Sequence, residues 1–153
     1  MNFTDNKIMV LDTEYETSPK RLLSLAYIVY LNGKKIIKEN LFVKHNKPIV
    51  NEFGEAFKIH KLSNNFLKEN GISMIKILNK LSNDLDDVKI LVGQNIMNAD
   101  IQVIRKESIG VGLWFKNLRN KFLNIKIYDT MKAFKNLHND KSASLNNIYK
   151  FLM

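Results

Sequence analysis

Seven residues, Ile8-Met9-Val10-Leu11-Asp12-Thr13-Glu14, restrict this chain more than any other stretch. The first four are apolar strand formers, the composition of a buried β-strand. The run then ends in two acids. Side chains alternate across a strand, so Asp12 and Glu14 project together from its end. Two carboxylates aimed at one point repel each other unless a cation lies between them. A divalent ion is the usual cation, and hard oxygen ligands suit Mg²⁺ or Mn²⁺. A bare D-x-E is also satisfied by a strand that runs into a polar hairpin with both acids solvated.

Composition narrows what such a site could be. The chain has no cysteine among its 153 residues. Thiolate metal sites and disulfides are therefore excluded, and a reducing, cytoplasmic compartment is expected. His45, His60 and His138 lie far apart and have no zinc spacing. A metal site here has to be built mainly from oxygen. No window is apolar enough for a membrane span, and Met1–Lys7 has no apolar stretch of signal-peptide type. The formal charge of +9 favours a polyanionic partner such as nucleic acid. The richness in Lys, Asn and Ile also fits an AT-rich genome, which adds lysine without a purpose.

In order, Glu16 to Arg21 reads as a turn broken by Ser18-Pro19, and Leu22 to Tyr30 as a second strand. Asn32-Gly33 is a two-residue hairpin signal, and Lys34 to Val43 returns as a lysine-bearing edge strand. His45 to Phe57 reads as irregular, and a short helix starts near Asn64 and stops at Gly71. Ser73 caps a helix whose Met74, Ile77, Leu78, Leu81 and Leu85 share one face. Lys89 to Gly93 is a short buried strand. Gln94 to Ala99 leads into a helix over Asp100 to Ser108. Trp114 to Asn124 is a basic amphipathic segment, Ile125 to Tyr128 a last strand closed by Asp129-Thr130, and a helix runs to about Leu137. His138 to Ser142 is a polar loop before a final helix capped by Ser144. The sum is one α/β domain over residues 1–153. It has a mixed five-stranded sheet, a three-strand meander followed by two parallel strands, flanked by helices.

Sites in such sheets gather at the carboxyl ends of the parallel strands. Asp12, Glu14 and Asp100 are then three acids at one end of the sheet. Two divalent ions about 3.5–4 Å apart would fit them and clamp the attacking and leaving oxygens of a phosphodiester.

The same residues carry a resemblance to a known family, the DnaQ-like or DEDD 3′–5′ exonucleases of ribonuclease H-like fold. Val10-Leu11-Asp12-Thr13-Glu14 resembles the family's first motif. Ile59-His60-Lys61-Leu62-Ser63 resembles its I-H-G-I-T segment. Gly93-Gln94-Asn95-Ile96-Met97-Asn98-Ala99-Asp100 is similar in outline to G-H-N-x-x-F-D, one residue longer. Asp129-Thr130 resembles the strand-ending D-T, and Ser144 to Tyr149 the helix after it. The resemblance implies a metal-dependent 3′–5′ exonuclease acting on DNA or RNA 3′ ends. It implies Asp12, Glu14 and Asp100 as catalytic ligands of two Mg²⁺ or Mn²⁺ ions. It places Thr13, His60 and Asn95 near nucleic acid, and it makes a polymerase or another replication or repair protein a candidate partner.

The family's last motif, H-x-x-x-x-D or Y-x-x-x-D, supplies a general base and a fourth acid. Here His138 has Ala143 five residues on, and Tyr149 has Met153 four residues on. The chain is expected to stop about where that helix begins. A catalytically impaired domain that binds nucleic acid or protein is therefore the alternative, since general-base assistance is worth roughly 10²–10⁴-fold. A phosphatase with Asp12 as nucleophile would want an aspartate at position 14, and Glu14 argues against it. Among the smaller signals, a lone His60 is read first as a surface or capping residue. Trp114 to Phe122 is read as a helix packing its aromatics inward, and Asn95 as either a site residue or a turn residue.

Overall fold

The computed structural model describes residues 6–137. The polar loop expected from His138 and the helix expected from Ser144 lie outside the described residues. Strands β1 (Lys7–Thr17), β2 (Lys20–Leu31) and β3 (Lys34–Phe42) form the meander. Two short helices follow, α1 (Glu55–His60) and α2 (Asn64–Asn70), then the longer α3 (Met74–Asp84). Strand β4 (Ile90–Gly93), helix α4 (Asp100–Gly110), helix α5 (Arg119–Leu123), strand β5 (Lys126–Asp129) and helix α6 (Thr130–Leu137) complete the order, with a π-helical turn at Trp114–Leu118 running into α5. The sheet order is β3-β2-β1-β4-β5. The meander pairs are antiparallel, and β1–β4 and β4–β5 are parallel. This is the mixed five-stranded sheet expected from the sequence. Among the described residues no helix is long and apolar enough to cross a membrane.

The local chemistry explains the joints. Asn32 and Gly33 both take positive φ, 51° and 78°, as the tight β2–β3 hairpin requires. The hydroxyls of Ser63 and Ser73 cap α2 and α3, accepting from Phe66 N and Lys76 N. Gly71 ends α2 for lack of space: a Cβ there would sit 2.4 Å from the Leu67 carbonyl and 2.6 Å from Lys44 N. On α3, Ile77, Leu78, Leu81 and Leu85 are buried as one stripe. Each contributes about 2 kcal/mol of burial to the layer on the sheet. Trp114 and Phe122 stack at 5.8 Å inside the core, as the amphipathic pattern predicts, while Phe115 stays exposed.

Two hydrophobic layers sit on the sheet. The larger joins Met9, Leu11, Leu25, Tyr27 and Leu91 to α3, α4 and α5. The smaller, Leu23, Val50 and Leu67 with Phe42, Ile49, Phe57, Leu62 and Phe66, lies on the opposite face. Adjacent residues Leu22 and Leu23 are both fully buried, one in each layer. Plain alternation would put Leu23 on the face of Leu25 and Leu22 on the other, yet Leu22 and Leu25 share the larger layer. A register shift explains it: Glu14 pairs with Ser24 but Tyr15 with Leu22, so Leu23 is the extra residue of a bulge.

Two expectations need correction. Strand β1 does not end at Glu14. It continues to Thr17 because the β1–β2 hairpin runs on as a two-stranded ribbon, Glu16 pairing with Arg21 and Thr17 with Lys20. Only Ser18 and Pro19 are left for the turn. The segment read as irregular up to Phe57 contains the start of α1, which has no buried residue among its six and so shows no apolar stripe.

Helix α4 is tied to the sheet by a charge. Glu107, 7% exposed, accepts from Leu22 N at 2.9 Å and from Arg21 Nε at 3.1 Å. Arg21 Nη2 reaches His45 Nδ1 at 3.3 Å, and His45 Nε2 donates to the Leu22 carbonyl at 2.8 Å. Burial pushes His45 below its ordinary pKa, so the ring is neutral and fits these two roles. Glu107→Leu would leave Leu22 N–H and Arg21 unpartnered. Arg21 is about a third exposed, which limits the loss. We expect Glu107→Leu to destabilise by about 2–4 kcal/mol in urea denaturation and Glu107→Gln by clearly less.

Candidate active site

Parallel pairing of β1 with β4 stops at Val10–Val92, while β1 runs on. Beyond that point the backbone donors of β1 on this side have lost their ladder partners. Asp100, the first residue of α4, takes over: its Oδ1 accepts from Thr13 N at 3.1 Å and from the Thr13 hydroxyl. Asp100 is 3% exposed and Thr13 is also buried. On the other face of β1, alternation sends out Asp12, which is exposed, then half-buried Glu14, then buried Glu16.

The three acids predicted from sequence feel one another. Burial raises the Asp100 pKa to about 6, opposed by the Thr13 hydroxyl and reinforced by the charges of Asp12 and Glu14. Burial also raises Asp12, against the Thr13 backbone, and raises Glu14, with Asp12 adding to the shift and His60 opposing it. Tyr15 is pushed up by burial and then by all three acids. None of the three pairs with a lysine or arginine among the described residues. Their donor chemistry, all oxygen and uncompensated, fits a hard divalent cation. Their present positions do not close around one: among the described residues no group of three or more His, Asp or Glu side chains could hold a metal ion.

His60 is not a surface residue. It ends α1 with its side chain 2% exposed, Nε2 lying 3.1 Å from Glu16 Oε1. Its Nδ1 accepts from Leu62 N at 2.9 Å, which leaves Nε2 as the donor to Glu16. The second Glu16 oxygen accepts from Asn51 N at 3.3 Å. Glu16 thus pins the 50–62 segment beside Glu14. The sequence reading missed it, although Asp12, Glu14 and Glu16 continue one period-two series. Asn95 is a turn residue, with φ 53° and its N–H donating to Asp129 Oδ1 at 2.9 Å. Asp129 also accepts from Met131 N, capping α6, while its buried Oδ2 has no partner among the described residues. Thr13 faces Asp100, while Asn95 lies in the turn after β4 and His60 at the end of α1.

No protein-family model matches this sequence, and no curated protein does. Solved structures do match in fold. Escherichia coli exonuclease I in complex with a dA16 oligonucleotide aligns with a TM-score of 0.67 at 14% identity, covering 87% of this chain and 30% of that one. Exonuclease I of Methylocaldum szegediense, moderately thermophilic, gives 0.66 at 17%, covering 85% and 29%. An ExoI/SSB-Ct complex gives 0.64 at 13%, covering 88% and 30%. The chain spans about 30% of the length of these structures. Its sheet and flanking helices are those of the ribonuclease H-like exonuclease fold.

The raised Asp100 pKa has a sign that can be checked. The unfolded carboxyl titrates near 3.8 and the folded one near 6, so between these values the folded state holds the extra proton. Stability therefore falls as pH rises through that window, and the carboxylate costs about 1–3 kcal/mol at neutral pH. Asp100→Asn keeps the Oδ1 acceptor for Thr13 and removes the charge. We expect it to melt several degrees above the parent at pH 8 and level with it near pH 4, by thermal denaturation followed by circular dichroism.

Proposed function

We propose that this chain is a 3′–5′ exonuclease domain that uses a divalent cation, Mg²⁺ or Mn²⁺, to hydrolyse phosphodiester bonds at DNA or RNA 3′ ends. The observation that carries the reading is a set of uncompensated carboxylates, Asp12, Glu14 and Asp100, gathered where the β1–β4 ladder ends in an exonuclease fold. Bare, these acids would repel a phosphodiester; with cations bound, they would attract it. Asp12, Glu14 and Asp100 would be the ligands, and two ions would be the full complement. A cation held by these carboxylates would supply a water of lowered pKa and positive charge toward the departing oxygen. Asp12 is the solvent-facing ligand and Asp100 the buried one, held in direction by Thr13. Glu16 and His60 act as positioning residues, keeping the 50–62 segment against the strand that bears the acids.

A second reading, a domain that binds nucleic acid without cutting it, is favoured by one observation. The Asp100 Oδ1 atom is already committed to Thr13, and the acids do not close into a coordination group among the described residues.

A 5′-labelled single strand incubated with the chain and Mn²⁺ separates the two. We expect stepwise shortening from the 3′ end by the parent and a loss of at least about a hundredfold in Asp12→Asn. Cation binding is read apart from activity: Mn²⁺ should raise the parent melting temperature at pH 8, not at pH 5 where Asp100 holds its proton, and not in Asp12→Asn. A strand bound but never shortened, with no melting shift, would establish the binding reading instead.

A further inference from the structure

A concavity that mixes apolar and basic side chains lies at the same end of the sheet, away from the acids. Its volume is about 600 Å³, within the range that holds a ligand of nucleotide size. Lys44, Lys47 and Lys68 line it and no carboxylate does. Elsewhere the lysines that have an acid in reach use it: Lys58 pairs with Glu55, Lys80 with Glu39 and Asp84, Lys121 with Asp86. The three pocket lysines make no ion pair among the described residues. Ile49 and Leu67, members of the smaller hydrophobic layer, give the pocket an apolar wall beside its ammonium groups.

The walls are fixed before any ligand arrives. Lys44 N donates to the Ile72 carbonyl and Ile72 N to the Phe42 carbonyl, both at 2.8 Å. Asn64 is held at both ends of its amide by the Val50 backbone, at 2.9 Å each. The position relative to the acids follows from register. Glu14 pairs with Ser24, and Ser24 pairs with Phe42, so the three form one row across β1, β2 and β3. Two strand spacings put Phe42 about 10 Å from Glu14, and Lys44 lies two residues further along. A strand whose end sits at Asp12 and Glu14 could reach the pocket within a few nucleotides.

We infer that this pocket seats a nucleoside phosphate, namely an internal nucleotide of the single strand whose 3′ end lies at Asp12 and Glu14. The ammonium groups of Lys44, Lys47 and Lys68 take the phosphate oxygens, and Ile49 and Leu67 take the apolar face of the base or sugar. The inference rests on the exonuclease reading for where the strand ends, and on the pocket alone for what it binds.

The test is fluorescence anisotropy with 5′-fluorescein-labelled oligothymidylate of twelve nucleotides, in EDTA, over a range of salt. Three forms of the full chain are compared: the parent, the pocket triple K44Q/K47Q/K68Q, and a control triple K34Q/K35Q/K38Q that removes the same charge from β3. The pocket triple should weaken binding at least about tenfold and reduce the log–log salt slope by about 2, three ammonium groups at about 0.7 each. The control should lose less than about threefold. If the pocket triple does not fold, the single substitutions Lys44→Gln, Lys47→Gln and Lys68→Gln replace it, each costing about threefold.

Equal losses in the two triples would overturn the inference, since net charge alone would then explain the binding. So would thymidine monophosphate binding as tightly as the twelve-nucleotide strand, which would assign the pocket to a free nucleotide. Because no metal is present, the result is independent of hydrolysis. A pocket triple that loses tenfold beside a parent that never shortens a strand in Mn²⁺ would remove the exonuclease reading and leave the nucleotide seat standing.

Discussion

One carboxylate stands where a strand ought to be. After Val92 the parallel partner of β1 is gone, and Asp100 accepts the Thr13 N–H in its place. The exchange solves a backbone problem and creates an electrostatic one. A ladder acceptor would have been neutral, whereas the replacement carries a charge into a site 3% exposed, beside Asp12 and Glu14. The fold tolerates that cost because α4 is fixed from its other end by Glu107, which holds Arg21 and Leu22 N. Two acids on one helix thus bind the same sheet at two points, the first at the break in the ladder and the second at the start of β2.

The opposite face of β1 is organised by Glu16. Its carboxylate collects His60 and Asn51, drawing a segment that has little regular structure onto the strand. That segment carries part of the smaller hydrophobic layer, and the basic pocket lies at the edge of that layer. Asp12, Glu14 and Glu16 lie along β1 and Lys44, Lys47 and Lys68 line the pocket, two local charges of opposite sign that the total of +9 does not reveal.

What was legible in the sequence is what local rules decide. The hydrophobic run of β1, the Asn32-Gly33 hairpin, the α3 stripe and the serine caps each rest on spacing within a few residues. The order of β1, β2 and β3 follows from them; the place of β4 beside β1 does not. Asp100 was found from its place at the start of the helix after β4, where the motif resemblance agrees, although its bond to Thr13 spans 87 positions. The buried state of His60 was hidden because its partner Glu16 is 44 residues away. The end of β1 was misplaced because two acids and a proline resemble a stop, and only pairing with Lys20 and Arg21 carries the strand further. The pocket could not be foreseen: residues 44–49 and 64–73 are joined by the bridge between Val43 and Ile72, by the Asn64–Val50 bonds and by packing of Ile49 and Leu67 in one layer, none of which local spacing specifies.

The bulge at Leu23 has a consequence for how the domain is assembled. A regular β2 would send Leu23 to the face of Leu25 and Leu22 to the other, and the smaller layer would lose its fully buried Leu23. The single extra residue therefore acts as a phase shifter between two halves of the molecule.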